Sequence, residues 1–107
     1  MKGDLERKKS ILLSLADKLE PQRGKLKQIN SSLESDLFYL LNSANVRHNN
    51  NDPNGKNYIA IVASMDNDTI EKWYDDIYQM CLLAFLELDN IERKERVKEL
   101  KQSISEN

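Results

Sequence analysis

Residues 66–105 read DNDTIEKWYDDIYQMCLLAFLELDNIERKERVKELKQSIS, with no glycine or proline anywhere in the stretch. Nothing here stops a helix once it has begun, and the opening Asp68-Thr-Ile-Glu71 supplies a start. Asp68 is placed to cap the first turn, and Glu71, three residues on, is placed to reach back. The spacing predicts one helix over residues 68–105, roughly 50 Å long at the α-helical rise. Its first half is apolar nearly all round, from Ile70 to Leu88, and its second half carries only Ile91, Val97, Leu100 and Ile104 among charges. Asp89 with Arg93 and Glu92 with Arg96 are ion pairs one turn apart in the favourable order.

Upstream, leucine recurs every seventh residue at Leu5, Leu12, Leu19, Leu26, Leu33 and Leu40. A strict seven-residue repeat keeps one stripe facing a neighbouring helix when the helices supercoil. The companion positions are mixed. With the leucines at a, the d residues are Lys8, Leu15, Gln22, Ile29, Asp36 and Ser43; with them at d, the a residues include Lys9, Ala16, Arg23, Asn30, Leu37 and Ala44. A parallel leucine zipper demands a purer seam, so the stripe reads as one face of a coiled-coil-like bundle. Pro21 lacks a backbone donor and disfavours α geometry at Glu20, so helices are expected over 4–20 and 22–45, with either a bend or a reversal between them.

Between these arms, residues 46–57 include His48-Asn-Asn-Asn-Asp-Pro-Asn-Gly-Lys-Asn57, which predicts a flexible, asparagine-rich surface loop. Residues 58–65 are short and apolar; a lone strand would have no partner for its backbone groups, so a short helix is expected. The fold class is therefore all-α: an antiparallel helical hairpin or bundle of three to four helices in a single domain spanning 1–107. In the hairpin form, the charged ends make a slender stalk. The zones around 37–41, 58–65 and 70–88 make a denser head.

The chain has 107 residues and a net charge of −2, with 32% charged and 39% hydrophobic residues. That composition suits long helices with one buried stripe each better than a thick core. Charge is unevenly spread. Residues 1–27 hold eight basic against four acidic side chains, and residues 66–89 hold seven acidic against Lys72 alone. The basic third is interleaved with acids and has no aromatic residue before Phe38, which makes nucleic-acid binding a weak alternative. The single Cys81 excludes an internal disulfide and points to an intracellular location, cytoplasmic or nuclear. No signal-peptide pattern or membrane-length apolar run is visible.

Chemistry finds little support. His48 stands alone in a loop, and Cys81 lies in the most apolar stretch, where a thiol is a poor nucleophile. The acids at Asp66, Asp68 and Glu71 fail calcium-loop spacing, since Glu71 falls where glycine is required. No catalytic residue, metal, cofactor or small-molecule substrate is expected. The expectation is a non-enzymatic protein-interaction subunit or adaptor, binding another protein or itself. Its contact residues are expected to be the six leucines together with Trp73, Tyr74 and Tyr78. Because Trp73 and Tyr74 are consecutive, they cannot both face one stripe of a helix. The alternative in another class is a small monomeric inhibitor or immunity-type protein that masks one target.

Overall fold

A computed structural model describes residues 4–106, all helical or irregular, with no strand among them. Lys2, counted in the basic third, lies outside the described residues. Helix α1 spans Asp4–Leu19, a single 3₁₀ turn covers Glu20–Gln22, and α2 follows over Arg23–Ile29. Helix α3 runs Ser31–Ser43, α4 is one turn at Ala60–Ala63, and α5 occupies Asn67–Ser105.

Pro21 bends the chain without reversing it. It sits in the first turn of the 3₁₀ segment, where its missing N–H costs nothing, and Leu19 and Arg23 on either side keep right-handed helical torsions. The leucine register survives the bend: Leu12, Leu19 and Leu26 are all buried. The reversal comes at Asn30, inside what the sequence suggests is one helix over 22–45. Asn30 is extended (φ −151°, ψ 83°), and its side-chain oxygen accepts the Leu33 N–H at 3.1 Å, capping α3. Its Nδ2 donates to Glu87 Oε1 at 3.1 Å, which fixes the corner against α5.

The antiparallel two-arm hairpin does not form. Helix α1 runs parallel to α5: Leu5 lies near Ile70 and Tyr74, Lys8 near Glu71 and Asp75, and Lys18 near Phe85. Only α3 is antiparallel to α5, with Asn30 at Glu87 and the chain just beyond its C-terminus at Tyr74. The chain thus goes up, back and up again, and no stalk of paired charged ends exists. On α5 the buried residues Ile70, Tyr74, Ile77, Cys81 and Ala84 alternate four and three apart, continuing to the half-buried Leu88. This average period of 3.5 matches the leucine heptad opposite, so the two helices stay in contact along their length.

The asparagine-rich segment does not lie wholly at the surface. Asn50 is 1% exposed, and Ala44 and Val46 beside it join the core. Asn45 takes a left-handed conformation (φ 60°), which asparagine tolerates better than most residues. The 58–65 segment is shorter in helix than expected: Ile59 is extended and its N–H pairs with the Asn50 carbonyl at 3.0 Å. At the start of α5 the cap is Asp66, two residues earlier than the expected Asp68. Asp66 Oδ1 accepts the Thr69 N–H at 2.8 Å, and hydrogen bonding from the Thr69 side chain, followed by that N–H, holds the carboxyl below the usual range.

Helix α5 outruns its neighbours. From Glu92 to Glu106 every residue is exposed, and the molecule measures 66 × 29 × 18 Å.

Candidate protein-interaction surfaces

The six heptad leucines are consumed by the fold. Leu12, Leu19, Leu26 and Leu33 are buried, and Leu5 and Leu40 are half-buried against the same core. Four of them line the α1–α2 path, while Leu33 and Leu40 sit on α3 beyond the reversal. The repeat therefore marks an internal seam, and the expected contact surface is not built from it.

The aromatic trio divides. Tyr74 points inward, 2% exposed, and its hydroxyl donates to the Asn45 carbonyl at 3.0 Å. Burial pushes its pKa up to about 12. Trp73 and Tyr78 are exposed, but roughly 140° apart around the helix. Trp73 stands beside Tyr39, Leu40, Ile61 and Met65, where α3, α4 and α5 meet. Tyr78 stands on the other flank beside Lys8, Ile11 and Leu12. Tyr39 and Ile61 are more than two-thirds exposed, so the Trp73 side carries a broad apolar patch.

A second apolar surface lies on the face of α5 turned away from the core. Leu83, Leu86, Val97, Leu100 and Ile104 are all exposed, Leu86, Leu100 and Ile104 by 60% or more. They occupy heptad positions 83, 86, 97, 100 and 104, and the two intervening seam positions are Asn90 and Arg93. Beyond residue 91 the side continuous with the core turns polar, with Glu95, Glu99 and Gln102, so the projecting segment is apolar on its outer face only. This stripe was readable from spacing alone. It is obscured by the all-round apolar character of residues 77–88, which hides two seams on opposite sides of one helix.

The uneven charge is answered within the chain at Lys8, and other basic groups pair outside the acidic stretch. Lys8 Nζ lies 2.8 Å from Asp75 Oδ1 and 3.2 Å from Glu71 Oε2, and the hydrogen bond it donates to Asp75 leads in raising its pKa. Arg23 binds the buried Glu34 at 2.7 Å and stacks 4.1 Å over the Phe38 ring. Arg47 reaches Glu20 at 3.2 Å. His48 is exposed, and Cys81 is buried with its thiol pushed up to about 11 by desolvation. Among the described residues no three His, Cys, Asp or Glu side chains gather as a metal site, and no helix is long and apolar enough to cross a membrane.

No family model, curated protein or solved structure matches this chain significantly.

Proposed function

We propose that the chain is a non-enzymatic, helical protein-interaction subunit whose principal contact is the outer face of α5. The observation that supports this is the stripe from Leu83 to Ile104, which resumes at Val97, Leu100 and Ile104 after the polar Asn90 and Arg93, beyond the point where α5 has any core to cover. Exposed apolar side chains scattered singly need no explanation, but a seam spaced in heptads along a projecting helix does. Removing such a face from water against another helix gives roughly 25 cal/mol per Å².

Photoreactive side chains at positions 86 and 100 test the reading. Both are expected to form adducts with protein, from this chain or another, while the same group at Glu99, on the polar side of the projecting segment, is expected to form none. Equal labelling from all three positions, or none, removes the proposal.

A second reading, a monomeric inhibitor that masks one target, draws on the Tyr39, Ile61 and Trp73 patch instead. Aromatic residues in such a setting often dominate binding energy. Under that reading, Trp73→Ala abolishes target binding while Leu100→Glu leaves it intact.

A further inference from the structure

We infer that the occupant of the α5 stripe is a second copy of this chain, docked antiparallel along residues 79–104, an inference that rests on reading that face as a protein contact. The charges of the stripe suit an antiparallel copy better than a parallel one. With a at 83, 90, 97 and 104 and d at 86, 93 and 100, an antiparallel pair sets each a against a d of the other helix. A two-fold axis passing between Ile91 and Glu92 then places Leu83 on Leu100, Leu86 on Val97 and Asn90 on Arg93 of the second copy. Apolar meets apolar in the 83/100 and 86/97 layers, an amide meets a guanidinium at the centre, and Ile104 lies over Gln79 at each outer end.

The flanking charges agree. In the same register Asp89 faces Arg96 of the second copy, and Glu87 faces its Lys94, each pair occurring twice by symmetry. Parallel in-register pairing is less favourable. It stacks Arg93 on Arg93 in the seam and sets Arg96 beside Lys101 of the second copy, leaving Asp89 beside Lys94 as its flanking pair of opposite charge.

The fold leaves room for this arrangement. The buried seam of Ile70, Ile77 and Ala84 lies on the opposite side of α5, so α1 and α3 do not obstruct the stripe. The two helical cores sit at opposite ends and on opposite outer sides of the paired helices. The exposed segment 92–106 of each copy covers Leu83 and Leu86 of the other.

Light scattering and cross-linking of the full chain decide the matter. The wild type is expected to run as a dimer. Leu100→Glu lies beyond the core and cannot unfold it, and it should weaken dimerisation by at least about a hundredfold. Arg96→Glu should weaken it roughly tenfold, and the swap Asp89→Arg with Arg96→Glu should restore it. Leu86→Cys and Val97→Cys chains are then treated with a short bismaleimide. Antiparallel docking predicts cross-links only when the two variants are mixed, because like positions sit eleven residues, about 16 Å, apart along the axis. The native Cys81 is buried and stays silent. A monomer at every concentration, or cross-linking of either variant with itself, overturns the inference. Monomeric behaviour together with adducts from positions 86 and 100 to a different protein overturns the second copy while leaving the proposed function standing. Absence of both removes both.

Discussion

The side chains of Asn45 and Asn50 hold the connection between α3 and α4 together. Asn50 Oδ1 accepts the Asn45 N–H at 2.6 Å, Asn45 Oδ1 accepts the Asn50 N–H at 3.1 Å, and Asn50 Nδ2 donates to the Asn57 carbonyl at 2.7 Å. These bonds satisfy backbone groups that no helix reaches, which is why a polar side chain is tolerated at 1% exposure. Asn50→Ala should therefore cost at least about 2 kcal/mol, since it leaves buried groups unpaired. Asn49→Ala, at an exposed site, should stay within about 0.5 kcal/mol. Chemical denaturation of the two variants checks the contrast. Tyr74 gives a second prediction. Its raised pKa means that its contribution is fully present below the ordinary tyrosine value of 10.0 and is lost as pH rises through about 12. Tyr74→Phe should lose about 1 kcal/mol at neutral pH by giving up the bond to Asn45, and should flatten the decline in stability across that alkaline window.

At the scale of elements, Asn30 does two jobs that oppose a continuous helix. Its side-chain oxygen caps α3 and its amide engages Glu87 on α5. Asn30→Ala should cost about 1–3 kcal/mol, through the lost cap and the stranded carboxylate together. Asn30→Asp keeps a capping oxygen but sets a second carboxylate against Glu87, and should also destabilise the fold. If Asp proves as stable as Asn, the contact with Glu87 contributes nothing. Thermal melts of the three chains separate the two roles. The break at Asn30 was only weakly legible: Asn30-Ser-Ser is a capping signal, but it lies within a leucine register that runs on through Leu33 and Leu40. The interruption at Pro21 was plain, because proline acts on its own turn whatever surrounds it, but its being a bend and not a reversal was not.

The whole molecule combines a slender core with a projecting arm. Its Cα radius of gyration is 18.0 Å, against about 13 Å for a compact chain of this size. The Leu100→Glu monomer should scatter X-rays as an elongated particle near that value, and a markedly smaller radius would mean that the arm folds back. The core is thin enough that single truncations matter. Leu19, fully buried where α1 packs, should lose about 2–5 kcal/mol on replacement by alanine, a large share of the stability of a small domain.

The sequence by itself determined the all-helical class, the long α5, an interruption at Pro21 and the divergence of Trp73 from Tyr74, all of which follow from local torsions and helical period. The same period also contained the outer stripe of α5, as a spacing. The tertiary structure decided which apolar seam is internal. A heptad repeat states that a helix has a neighbour, but not whether the neighbour belongs to the same chain or which way it runs. Here the reversal at Asn30 brings α1 parallel to α5, so the leucine seam is buried within the chain and the stripe from Leu83 to Ile104 is left facing water.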